Sequence, residues 1–112
     1  MDRFLASYIE TALWSSENGG EPLDSSGHEL STECLECFQK DCGAFQKNTA
    51  HLDLSKYRLE QIAHDFWLTR NGHGAGFWDG DYPEDLGDAL TKIARIFGEC
   101  DLYVGDDGLI YC

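Results

Sequence analysis

The chain has 112 residues, 42% hydrophobic and 12% aromatic, enough to build one core in a single domain over 1–112 without staples, and too apolar for a disordered acidic segment. Eight Lys and Arg stand against 21 Asp and Glu, a formal net charge of −13. A field of that sign repels nucleic acid and anionic membrane and draws in basic partners. The five cysteines are an odd number, and three of them share one predicted helix, which is poor geometry for a disulfide framework and points to a reduced, intracellular chain.

Residues 2–14 predict a helix, with Phe4, Leu5, Tyr8, Ile9, Ala12 and Leu13 on one apolar face and Trp14 sealing its edge. The opening MDRFLASYIETALW lacks the layout of a signal peptide, and no apolar run is long enough to span a bilayer, so a cytoplasmic location is expected. Residues 15–29, SSENGGEPLDSSGHE, carry many turn signals and predict a surface loop, anchored by Leu23. A second helix is expected from Ser31 or Thr32 to about Asn48, with Ser31 as N-cap and Leu35, Phe38, Cys42 and Phe45 as its stripe. Ser55 then suits the cap of a third helix carrying Leu59, Ile62 and Ala63.

The densest stretch is His64 to Asp79, HDFWLTRNGHGAGFWD, which holds Trp67, Trp78, His64 and His73. Its early part keeps helical period, but Asn71-Gly72-His73-Gly74 is a turn cluster between two aromatic segments. The preferred reading is a β-hairpin with strands near 65–70 and 75–79. Pro83, Glu84 and Asp85 suit a helix start, Leu86, Ala89, Leu90, Ile93, Ala94 and Phe97 give the clearest helical stripe, and Gly98 is its natural stop. In the last segment, DLYVGDDGLIYC, Asp107-Gly108 marks a second hairpin. The expected fold is therefore α+β: a small antiparallel sheet of two β-hairpins packed against three to four helices.

Several clusters have the residue types of a site. Cys34-x-x-Cys37 with Cys42 and His28 or His51 offers thiol and imidazole ligands for zinc. Yet there is one CxxC only, on a helix, with no second pair following, and Cys42 lies on the apolar stripe. A thioredoxin-like role is weaker, because no strand precedes the pair. His64, Asp65, His73 and Asp79, with Arg70 nearby, have the side chains to hold a divalent ion or activate a water. The plainer reading gives the two acids to capping and Arg70 to an ion pair. Asp79-Gly80-Asp81 lacks the ligand order of a calcium loop, and the glycine-rich Asn71–Gly76 matches no phosphate-binding pattern. Basic patches are missing, which argues against direct nucleic-acid binding, and no cofactor is expected.

The string HDFWLTRNGHGAGFWDGD, followed by a helix and then DLYVGDDGLIY, resembles a recurrent group of small phage-encoded proteins with the motif HDFWLTRNGHGAGFWD…YVGDDG. The likeness is strongest over 64–111 and looser over FLASYIETALW and DCGAF; CLEC is not part of the pattern. It implies a phage accessory protein made in the cytoplasm of a bacterial host cell, and it brings no catalytic residues with it. Joined to the charge, this leads to an expected inhibitor of a basic, nucleic-acid-handling host protein, an acidic DNA mimic of anti-CRISPR or antirestriction type. Its contact residues would be Asp79, Asp81, Glu84, Asp85, Asp88, Asp101, Asp106 and Asp107, with Trp67, Trp78 or Tyr103 adding contact. The alternatives are a small metal-dependent hydrolase built on His64, Asp65, His73 and Asp79, and a phage structural or regulatory adaptor working as a homo-oligomer. A binding role is preferred to an enzymatic one.

Overall fold

A computed structural model describes residues 2–18, 21–23, 27–72, 76–78 and 81–112. Four helices dominate: α1 (Arg3–Ser15), α2 (Thr32–Asn48), α3 (Leu59–Arg70) and α4 (Glu84–Ile96). Two antiparallel strand pairs accompany them, β1 (Glu17–Asn18) with β2 (Glu21–Pro22), and β3 (Tyr103–Val104) with β4 (Ile110–Tyr111). The α+β class stands in this coarse form, a helical domain with a very small antiparallel component. The expected sheet of two joined hairpins does not form: the first of them is helical over 65–70, and the β3–β4 hairpin stands as a separate two-stranded unit.

The first, second and fourth helices form for the reasons their sequences suggest. Asp2 caps α1, its Oδ1 accepting from the Leu5 amide at 2.8 Å, and Ser31 caps α2 by accepting from the Cys34 amide at 3.0 Å. Helix α4 has Pro83 at its cap, Glu84 and Asp85 in its first turn and Arg95 in its last, the charge order its dipole favours. Gly98, at φ +73°, then takes the left-handed turn that stops it.

The central stretch departs from expectation. Residues 64–70 are the second half of α3, not a strand, and among the described residues of 64–79 there is no strand at all. Ile62, Ala63 and every residue from Asp65 to Arg70 are buried, because α1 and α4 flank the helix and α2 closes over it. The Asn71-Gly72 pair ends this helix, with Gly72 at φ +68° and its amide bonded to the Thr69 carbonyl at 3.2 Å. Residues 73–75 and 79 of the expected hairpin lie outside the described residues.

Ser55 does not cap α3; its amide and hydroxyl both donate to Asp53 Oδ1, at 3.1 and 2.6 Å, in a turn before the helix. The 15–29 loop is not featureless either, since β1 and β2 pair inside it and deliver Leu23 to the core.

The core is an aromatic stack running through α1, α2 and α3. Phe45 lies flat on Phe66 with centroids 4.0 Å apart, and Tyr8 meets both Phe38 and Trp67 edge-on at 5.1 and 5.4 Å. The Trp67 indole N–H donates to Ser15 Oγ at 2.8 Å. No described helix is long and apolar enough to cross a membrane.

Candidate functional site

The described acids named for a partner surface all reach solvent, and they fall into two groups. Asp81, Glu84, Asp85 and Asp88 are exposed around the start of α4. Asp79 lies outside the described residues. The outer surface of α4 changes sign along its length of about 20 Å, since Lys92 and Arg95 follow the acids. Trp78 is 41% exposed, and the Arg95 guanidinium lies 5.5 Å from the centre of its ring. Trp67, by contrast, is buried and can touch no partner.

The second group is built by the β3–β4 hairpin. Its turn is closed by the Gly105 amide donating to the Leu109 carbonyl at 2.8 Å, and it lifts Asp106 and Asp107 into solvent. Cross-strand pairing sets Tyr103 against Tyr111, rings stacked 5.8 Å apart, with Tyr103 57% exposed. The Tyr111 hydroxyl donates to Asp107 Oδ2 at 2.6 Å, and the Leu109 amide donates to Oδ1 at 3.0 Å. These bonds hold the Asp107 carboxyl below its usual range, the Tyr111 bond foremost, and the same bond pushes Tyr111 up to about 12. The hairpin and the start of α2 enclose an open cleft of about 630 Å³ lined by Glu33, Tyr103, Val104, Gly105, Asp106, Asp107 and Tyr111. Asp101 is exposed just before the hairpin. The result is an edge of exposed carboxylates, of which Asp107 is held by its hydrogen bonds, beside exposed Tyr103 and half-buried Tyr111.

The proposed hydrolytic set is brought together only in part. His64 and Asp65 are neighbours on α3, His64 Nδ1 lying 3.1 Å from Asp65 Oδ1. Asp65 is buried, and Tyr82 donates its hydroxyl to Oδ2 at 2.7 Å. Burial first, and then Asp65, raises the Tyr82 pKa. Trp14, which the sequence places as a seal on the core edge, is 46% exposed and stacks on His64 at 5.6 Å. His73 and Asp79 lie outside the described residues. Arg70 is fully engaged: Nη1 donates to Tyr8 Oη at 2.9 Å and to Asp41 Oδ2 at 2.8 Å, Nε to the Gly98 carbonyl at 2.9 Å, and Nη2 to the Phe97 carbonyl at 3.0 Å. Asp65 and Arg70 thus act as polar ties that hold α3 in place.

Neither a protein family nor any curated protein or solved structure matches this chain.

The cysteines are arranged differently from the zinc-like set in the sequence. Cys42 is buried in the core, His28 Nδ1 sits 2.7 Å from the Gly108 carbonyl, and His51 is exposed. The thiols that act on Cys34, after burial, are those of Cys112, Cys100 and Cys37, and Cys100 and Cys112 lie outside the zinc-like set. The available signal was their position: the two cysteines flank a predicted hairpin, and a hairpin brings its flanks together. All five cysteines are free.

Proposed function

We propose that this is a phage accessory protein which binds and inhibits a basic, nucleic-acid-handling host protein by presenting its carboxylates in place of DNA phosphates. The observation that carries this reading is the β3–β4 edge, where Glu33, Asp106 and Asp107 line a cleft beside exposed Tyr103. Duplex DNA carries one charge per about 1.7 Å of axis, and proteins that grip it line their grooves with Lys and Arg. A carboxylate held in place, as Asp107 is, meets such a groove with little ordering cost, and exposed Tyr103 in the same cleft adds contact area once water leaves. The hydrogen bonds to Asp107 keep that carboxyl ionised to lower pH than an unassisted one. The net charge of −13 supplies long-range attraction to a basic partner. The phage assignment is supported by the motif over 64–111 alone.

The test is a pull-down with the full chain from lysates of bacteria carrying defence systems, followed by purification of what is captured. The captured protein should be basic and bind DNA, duplex DNA should displace it, and its affinity should fall roughly tenfold or more from about 50 mM to about 500 mM salt. A Glu33→Gln/Asp106→Asn/Tyr103→Ala variant should lose capture while remaining folded. Binding that neither salt nor duplex DNA weakens would rule out mimicry.

A further inference from the structure

We infer that the groove where the start of α1, the end of α2 and the start of α3 meet binds a small apolar-tailed carboxylate. Its hydrocarbon would fill the groove and its head would stay at a collar of Arg and Lys. The inference does not rest on the mimic reading. The groove is lined by Phe45 and Gln46 near the end of α2, while the acidic cleft is lined by Glu33 at its start, roughly 20 Å away along the helix axis.

The interior selects hydrocarbon. Phe4, Phe45 and Ile62 line the groove and belong to the buried core, and Leu52, Leu54 and exposed Leu59 complete its apolar surface. The lining carries no charged side chain. Of its two polar side chains, Thr49 donates its hydroxyl to the Phe45 carbonyl at 2.9 Å, and Gln46 is exposed. An apolar chain that displaces water from such a surface gains free energy, whereas a charged head must remain at the mouth. The groove holds about 240 Å³, short of the ~300–1,000 Å³ that takes a drug-sized molecule. One short alkyl chain fits it better than a fused ring system or a long-chain lipid.

The charge of the collar marks the head as an anion. Residues 46–59 supply most of the lining, and they hold Lys47, Lys56 and Arg58 against one acid, Asp53, in a chain of net charge −13. Asp53 is turned to Ser55, accepting from its amide and hydroxyl. Arg58 precedes the lining residue Leu59, and Arg3 precedes Phe4. Their Nε atoms lie 3.4 Å and 3.6 Å from the two oxygens of Glu60. That trio ties the start of α1 to the start of α3 and keeps a net positive charge. Both guanidinium groups are exposed, and their planar forks suit a carboxylate. At physiological salt, charges beyond about 8 Å are largely screened. The collar, and not the chain's overall charge, therefore sets the sign that a bound head group feels.

The experiment titrates the full chain with octanoate, octan-1-ol and octylammonium in turn, followed by amide NMR and calorimetry. Octanoate should saturate at one equivalent and shift amides of residues 46–59 and of the first turns of α1 and α3, leaving β3–β4 unmoved. Octanol should bind roughly tenfold more weakly, and octylammonium more weakly still. Glu60→Gln frees both arginines and should tighten octanoate severalfold. An Arg3→Gln/Arg58→Gln double variant should weaken octanoate roughly tenfold and leave octanol unchanged. Both arginines are exposed, so this variant should fold. Ala50→Phe adds bulk at an exposed lining position and should abolish binding of both ligands. The site would be overturned by lack of saturable octanoate binding, by equal affinity for the alcohol and the carboxylate, or by indifference to the Glu60 and arginine variants. Binding to anionic phospholipid vesicles in preference to free octanoate would overturn it too, by making the collar a membrane contact.

Discussion

Replacing Arg70 by Ala should be among the most destabilising single changes in this protein, and its size can be worked from the contacts it removes. The guanidinium makes four hydrogen bonds and stands 5.8 Å and 5.7 Å from the ring centres of Phe66 and Phe97. Tyr8 is fully buried, so its hydroxyl loses a charged donor with no water to replace it, at a cost of about 1–2 kcal/mol. The Phe97 and Gly98 carbonyls sit nearer solvent and cost about 0.5–1 kcal/mol each. The Asp41 side chain is 28% exposed and rehydrates, so its share is about 0.5 kcal/mol. With about 1 kcal/mol of lost packing against two rings the total is about 3.5–5.5 kcal/mol, close to the range for removing one partner of a buried charge network. At roughly 4 °C per kcal/mol for a chain of this length, Tm should fall by about 14–22 °C. Urea unfolding followed by circular dichroism reads this as a lower midpoint at unchanged slope. Arg70→Met, which keeps much of the packing, should cost about 1 kcal/mol less, and Asp41→Asn under about 1 kcal/mol. An Arg70→Ala protein within about 1 kcal/mol of wild type, or an Asp41→Asn as damaging as Arg70→Ala, would refute the idea that the cation ties α3 to its neighbours.

Other outcomes follow from the same packing. Tyr82→Phe removes the donor to Asp65 Oδ2 and should cost about 1–2 kcal/mol by urea unfolding; a neutral result would mean that bond adds nothing. Gly87→Ala would place a Cβ 2.6 Å from the Phe77 carbonyl oxygen, so about 1–3 kcal/mol of stability should be lost, and an unchanged melting curve would contradict the close approach. Burial holds the Cys34, Cys42 and Cys100 thiols above the ordinary 9.0. The unfolded chain therefore releases those protons first, and stability is full below about pH 9. It then declines by about 1.4 kcal/mol per pH unit per thiol as pH rises toward the folded values. Unfolding midpoints of reduced, metal-free protein between pH 8 and 10.5 test this, and a flat profile would count against it.

Three of the four helices were legible because each has one wet face. Helices α1, α2 and α4 carry apolar stripes and end on caps or turns that local chemistry dictates, as with Asp2, Ser31 and Gly98. The first half of α3, with Leu59, Ile62 and Ala63, was also read as a helix, and only its second half was misread, because it has no wet face there. Burial from Asp65 to Arg70 erases the amphipathic period, and polar Asp65, Thr69 and Arg70 inside the core look like surface positions until their partners are known. Asn71-Gly72 is a true signal of φ > 0, but a helix stop and a hairpin turn use the same dipeptide. The acidic edge was readable from composition and the Asp-Gly turn. The docking of β4 beside the entry to α2 was not, because the bridge between Leu30 and Ile110 joins residues 80 positions apart.

The burial of α3 has a consequence for how the chain reaches its native state. It is only 12 residues long and has no side-chain cap, so on its own in water it is a marginal helix at best. What stabilises it comes from far away in sequence, from Tyr8 and Ser15 reaching Arg70 and Trp67. Closing that long loop must precede the reward, which places α3 late and makes its formation cooperative with the docking of α1. A fragment beginning after the first helix would therefore lose its middle as well as its start, and a growing chain can hold α1 and α2 as helices before α3 has anything to fold against.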